Sequence, residues 1–176
     1  MKKDTNQLSR QVRKLLKEQE KKITAAESLT GGSFLKEISS QEGASTVLEG
    51  GIVTYSNRVK QEVLGVQQET IDKYGVVSSE CAIEMAEKSL DLFSADLSVS
   101  LTGVAGPASL EGKKSGTVWI GLAEKGKKTF AKKFQFGNQR EENRKASVRS
   151  ALNLILFTLL EKEIENKVFF PEKNME

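Results

Sequence analysis

The order in which the hydrophobic period changes along this chain restricts the folds open to it. Leu8, Val12, Leu15 and Leu16 recur at helical spacing within residues 6–20. A short apolar strand, "KITAA", follows, then a helix pattern in "TGGSFLKEISS" with Thr30 near its cap. "STVLEGGIVTY" holds a second strand ending at Tyr55. Ser56 can cap a helix through Leu64, which stops at Gly65. Further helices are expected over 68–74, closed by Gly75, and over 79–93 behind Ser78. "DLSVSLTG" alternates, with Leu97, Val99 and Leu101 on one side and Ser98, Ser100 and Thr102 on the other. Only then do two strand patterns follow each other directly: "TVWIGLA" and "KTFAKKFQF" flank "EKGKK" as an antiparallel hairpin. A final helix from about 140 to 164 carries Val148, Leu152, Ile155, Leu156, Leu159 and Leu160 on one face. Strands that alternate with helices, followed by a hairpin, make an α/β layered domain with a mixed sheet. A single domain over residues 1–176 is expected, with its core at about 22–160 and a loosely held tail over 165–176.

Composition narrows the chemistry more than the fold. There is no histidine and one cysteine, Cys81, so no Ser–His or Cys–His relay, ordinary zinc site or intrachain disulfide can form within the chain. Cys81 falls in a helix pattern and reads as a small core residue. No apolar run reaches the roughly 18–20 residues of a membrane span. The first 22 residues are basic without an apolar stretch, so a cytoplasmic protein without a signal peptide is expected. The net charge of +3 is dispersed; the densest basic cluster, residues 126–133, reads as a solvated hairpin rather than a nucleic-acid site.

Chemistry gathers in "TAAESLTGGS", residues 24–33. Ser28 sits between a strand and a helix start, where unpaired N–H groups favour negative charge. Gly31 and Gly32 carry no side chain to block a ligand. These are the requirements of a nucleophile with an oxyanion site. A serine needs a base, which without histidine must be Lys, Tyr, Asp or Glu. "VTYSNRVK" offers Lys60 in the first turn of a helix, where the helix dipole, neighbouring Arg58 and burial would all favour a neutral amine. Tyr55 could pass or orient the proton. The same residues also admit plainer readings: a helix cap at Ser28, a capping Glu27, a solvated Lys60 and a packing Tyr55. The long glycine-rich loop "GVAGPASLEGKKSG" is a functional-loop candidate.

Five blocks, "AESLTGG", "GGIVTYSNRVK", "LGV…TIDKYGVVS", "SLTGVAGP" and "GTVWIGLA", occur in an order that resembles the CinA C-terminal domain family, the nicotinamide mononucleotide deamidases. The resemblance covers about Lys22 to Leu160. It implies a three-layer α/β/α sandwich and a stand-alone form of the domain that is a homodimer. It also implies deamidation of nicotinamide mononucleotide to the acid and ammonia, with no metal or organic cofactor. Carried over, Ser28 is the nucleophile, Lys60 its base and Tyr55 their support. Thr30, Gly31, Gly32, Asn57, Thr102, Gly103, Ala105 and Gly106 fall in blocks that line the substrate. Ser45 in "EGAS" matches a position for polar substrate groups, and Arg140 or Arg144 would hold the phosphate. Two segments depart from the family pattern: "ASLEGKKSGTV" after Pro107, and "FGNQREENR", where Asn138 replaces the acid of a Gly-Asp-Arg run and Gln139 follows it. They motivate an alternative from another class, a non-catalytic module holding a nucleotide or a partner protein in competence or DNA-damage responses.

Overall fold

The computed structural model describes residues 4–40 and 42–169, with side chains as far as residue 161. Helix α1 (Thr5–Glu18) begins at a capping box, in which the Asp4 side chain accepts from Gln7 N and the Gln7 side chain accepts from the Asp4 N–H. Its buried stripe is Leu8, Val12 and Leu16. Strand β1 (Ile23–Glu27) is followed by helix α2 (Ser33–Ser39), a 3-10 turn at Ala44–Thr46 and the two-residue strand β2 (Ile52–Val53). Helices α3 (Asn57–Glu62), α4 (Gln68–Tyr74) and α5 (Ser79–Leu92) lead to β3 (Leu97–Gly103). The hairpin β4 (Thr117–Glu124) and β5 (Phe130–Gln135) precedes α6 (Arg140–Phe169).

The sheet order is β2-β1-β3-β4-β5. β1 is parallel to both β2 and β3, and β4 is antiparallel to β3 and β5, so the sheet is mixed. α1, α2 and α6 cover one face and α5 the other, giving the three-layer α/β/α sandwich. The first face is apolar. Ile23, Ala25, Leu97, Val99, Leu101, Val118, Ile120 and Leu122 meet Leu8, Val12, Leu16, Val148, Leu152, Ile155 and Leu159 there.

The second face combines a smaller apolar cluster, which includes Ala26, Val77, Cys81 and Met85, with hydroxylated side chains. Ser100 Oγ donates to Ala82 O at 2.5 Å, and Ser89 and Ser98 share a hydrogen bond of 2.6 Å. Thr102 Oγ1 donates to Val76 O at 2.6 Å. The alternation in β3 is therefore real, but both of its faces are buried. The serines satisfy helix carbonyls and let α5 lie close to the sheet. Gly121 completes this approach, since a Cβ there would overlap Ala82 O.

Four expectations need correction. The second strand is only Ile52–Val53, because Thr54 N still reaches Glu27 O but Ser56 already caps α3. The N-cap of α2 is Gly32, not Thr30, with a left-handed φ of 91°. Leu160 is exposed at the end of the α6 stripe. The backbone of α6 is helical through Phe169, past the expected end at 164. The remainder of the expected tail, 170–176, lies outside the described residues.

This topology locates the functional end of the sheet. From β1 the chain leaves to α2 on one face and returns at the edge strand β2. From β2 it crosses through α3–α5 to β3 on β1's other side. Strand order thus reverses beside β1, the position at which open α/β sheets bind ligands, at the carboxyl ends of their strands.

Candidate active site

Ser28 is the first residue beyond β1, and its N–H still donates to Leu101 O of β3 at 2.9 Å. Lys60 comes from α3, whose start is fixed by the Ser56 hydroxyl accepting from Val59 N. The Lys60 side chain crosses back towards β1, and the residue is 1% exposed. Its Nζ lies 3.2 Å from Ser28 Oγ and 2.7 Å from Thr54 O. The hydroxyl and amine expected from separate segments therefore meet at the carboxyl end of β1.

Burial holds the Lys60 amine below its ordinary pKa of 10.5, while a Cys81 thiolate, formed only at high pH, and the Glu111 carboxylate oppose that shift. Arg58, expected to contribute, instead points outward and pairs with Glu62 at 2.6 Å. Burial also pushes the Cys81 thiol up to about 12, so it packs as a neutral core residue. Glu111, in the loop between β3 and β4, accepts from Val76 N at 3.1 Å and Val77 N at 3.2 Å. That clamp ties the loop to the segment leading into α5.

The turn after Ser28 corrects the expected source of oxyanion donors. Glu27 is fully buried, and its carboxylate accepts from Gly32 N at 3.0 Å, Phe34 N at 3.2 Å and Leu35 N at 2.8 Å. The start of α2 is thus filled by the protein's own carboxylate. Gly31 N is also engaged, donating to Ser28 O at 3.1 Å. Among the described residues, the N–H groups of Leu29 and Thr30 have no partner. Thr30 Oγ1 is likewise buried without one. The sequence signal for Glu27 was a carboxylate at a strand end just before a Gly-Gly helix start.

The first two turns of α6 close the other side of this site. Arg144 Nη2 donates to Thr30 O at 2.8 Å and Ser33 Oγ at 3.0 Å, and Nη1 to Glu141 at 3.0 Å. Arg140 Nη2 donates to Tyr55 Oη at 2.8 Å and Nη1 to Gly106 O at 3.3 Å. Tyr55 is 60% exposed, and its recorded partner is Arg140, not Ser28 or Lys60. Sequence reasoning missed Asn143, which is buried and donates to Ala105 O at 2.8 Å and Gly137 O at 3.0 Å. Its signal was a polar residue one turn ahead of Ser147, Ala151 and Ile155 on a buried stripe.

Several candidates stand elsewhere or are already engaged. The Thr102 hydroxyl is bound to Val76 O on the α5 side. Gly103 backs onto β4, where a side chain would meet Thr117 O and Val118. Ala105 and Gly106 offer carbonyls that Asn143 and Arg140 occupy. Asn57 is exposed at the start of α3. Ser45 lies beside Lys22, before β1, with Lys22 Nζ donating to Ser45 O at 3.3 Å. One strand of five residues, roughly 15 Å, separates it from Ser28. Among the described residues, no three His, Cys, Asp or Glu side chains gather as a metal site needs. No helix among them is long and apolar enough to cross a membrane.

A family model described as the CinA C-terminal domain matches residues 5–159. A protein carrying the competence-damage inducible name in Listeria monocytogenes serotype 4a is 48% identical over 148 residues, covering 84% of this chain and 36% of that protein. One of the same name in Levilactobacillus brevis is 45% identical, covering 89% of this chain and 38% of that protein. The chain thus spans little more than a third of the length of these curated relatives. Among solved structures, the competence damage-inducible protein A of Klebsiella pneumoniae superposes with a TM-score of 0.87 at 32% identity, covering 90% of this chain and 98% of that one. The competence/damage inducible protein CihA of Agrobacterium tumefaciens gives 0.85 at 32% identity, covering 90% and 96%.

Proposed function

The chain belongs to the CinA C-terminal domain family, and from that premise we propose that it is an amidohydrolase converting nicotinamide mononucleotide to nicotinate mononucleotide and ammonia. The observation that carries this reading is a buried amine, Lys60 Nζ, 3.2 Å from the Ser28 hydroxyl in a chain without histidine. A neutral amine donates to the Thr54 carbonyl and keeps its lone pair for the serine proton.

In the first half-reaction Ser28 Oγ bonds to the carboxamide carbon as its proton passes to Lys60 Nζ. The tetrahedral oxyanion is met by the unpaired N–H groups of Leu29 and Thr30, each such donor being worth about 3–4 kcal/mol. The Lys60 ammonium then protonates the departing nitrogen, the C–N bond breaks, and ammonia leaves an acyl-serine. In the second half, water gives a proton to Lys60, its oxygen bonds to the acyl carbon, and Ser28 Oγ leaves with the proton returned by Lys60. The products are the nicotinate carboxyl group and free Ser28. Arg140 with Tyr55 receives the 5′-phosphate, a planar donor set suited to phosphate oxygens. Arg144 is held by Thr30, Ser33 and Glu141 and supports the Ser28 turn.

A module that only holds a nucleotide or a protein partner has no use for a desolvated amine against a hydroxyl, which favours the catalytic reading. The test is ammonia release from nicotinamide mononucleotide. Wild-type protein releases it and Ser28→Ala does not. Equal rates in both, or ligand-induced thermal stabilisation with no product, would contradict the assignment.

A further inference from the structure

Asn143 lies in the first turn of α6 and is 1% exposed. Its single side-chain nitrogen spends both hydrogens on carbonyls from two other segments: Ala105, in the turn after β3, and Gly137, at the entry to α6. Neighbouring atoms leave this junction little room to readjust. Gly106 has a left-handed φ of 92°, and a Cβ there would overlap Ser115 Oγ. The Gly106 carbonyl in turn receives Arg140 Nη1 at 3.3 Å. The arginine that reaches Tyr55 therefore projects from a helix start that Asn143 fastens to the turn after β3.

Resting on the assignment of Arg140 and Tyr55 to the substrate phosphate, we propose that Asn143 is a positioning residue that sets the distance between this phosphate receptor and the Ser28–Lys60 pair. The chemistry of the site selects this side chain. Leucine has similar bulk but no hydrogen to give, and aspartate would set a carboxylate against two carbonyls. Glutamine carries the same amide one methylene further out. Without the amide, the buried Ala105 carbonyl loses its donor, the Gly137 carbonyl keeps only the longer bond from Ser115 Oγ at 3.4 Å, and the helix start separates from the turn. Ser28, just beyond β1, and Lys60, on α3, make no hydrogen bond to Asn143. The effect therefore falls on substrate hold rather than on the proton relay.

The experiment compares wild type, Asn143→Leu, Asn143→Ala and Ser147→Ala. Ser147 serves as control because its buried hydroxyl bonds only within α6, to Asn143 O at 2.7 Å. Calorimetric titration with ribose 5-phosphate reads the phosphate receptor without requiring turnover. Both Asn143 variants are expected to bind it about tenfold more weakly, the equivalent of one lost buried hydrogen bond. KM for nicotinamide mononucleotide rises by the same factor, with kcat within about twofold, and kcat/KM for the phosphate-free riboside stays unchanged. Ser147→Ala matches wild type throughout. Equal ribose 5-phosphate affinity in wild type and the Asn143 variants would overturn the proposal. So would a parallel loss of kcat on both substrates, or the same defect in Ser147→Ala. Should Asn143→Leu not fold, Asn143→Ala decides. Weakened ribose 5-phosphate binding in a protein that never releases ammonia would contradict the amidohydrolase reading and leave the positioning role standing. A wild type that does not bind ribose 5-phosphate would sink the positioning role itself.

Discussion

Replacing Lys60 with methionine separates what the amine does for stability from what it does for chemistry. The residue is 1% exposed, so methionine inherits its place in the core. The Thr54 carbonyl loses the donor that sat 2.7 Å away, a cost of about 1–3 kcal/mol. Against this, the variant no longer buries an ionisable group, whose desolvation penalty is itself several kcal/mol when charged. The opposing terms are similar in size. At roughly 2–4 °C per kcal/mol for a domain of this length, Tm is expected to move by no more than about 5 °C. The pH dependence has a definite sign. The folded-state pKa of Lys60 lies below its unfolded value of 10.5, so below that pH the unfolded chain takes up a proton that the folded protein resists. Wild type is penalised there and Lys60→Met is not. The Tm of the variant relative to wild type therefore rises as pH falls from about 10.5 towards neutrality. Activity behaves differently, because loss of the general base costs about 10²–10⁴-fold in rate. Thermal unfolding across pH and ammonia release at pH 7 are the assays. A variant that keeps more than a tenth of wild-type kcat/KM would refute the relay. A Tm advantage that grows with rising pH would refute the burial argument.

Glu27→Gln turns an amide NH2 towards one of the three N–H groups that the carboxylate now accepts, at a cost of about 1–3 kcal/mol. Thermal unfolding should show Tm lower by roughly 2–12 °C; an unchanged Tm would mean the carboxylate does not hold the start of α2. Glu111→Gln keeps a side-chain oxygen for the 76–77 clamp but removes a charge that raises the Lys60 pKa. The acid limb of kcat/KM against pH then moves to lower pH, since the base becomes neutral earlier. Movement to higher pH would contradict that coupling.

How far the sequence could be read depended on whether local rules or distant neighbours decided each feature. Ser56 and Ser78 were legible as caps because a hydroxyl before a helix bonds an N–H only three residues on. The four longer strands were legible from period and length, and the mixed sheet followed from their order. The direction of the Lys60 shift was legible, but one of the expected causes, Arg58, was not one, because a long exposed side chain turned to Glu62. That the start of α2 is already occupied was not legible, because the reach of Glu27 into it depends on the turn's geometry, not on spacing alone. Tyr55 was grouped with the catalytic pair by its motif, whereas its position is set by Arg140, distant in sequence. Ser45 shows the same limit, since only the strand register places it at the far end of β1.

The central claim is that Lys60 is uncharged where Ser28 needs a base. Nuclear magnetic resonance of the Lys60 side chain, assigned by comparison with Lys60→Met and followed across pH, measures that directly. The account predicts a titration midpoint clearly below 10.5 in the folded protein. A Lys60 amine that is still fully charged at the pH of ammonia release would leave the serine without an acceptor and contradict the mechanism.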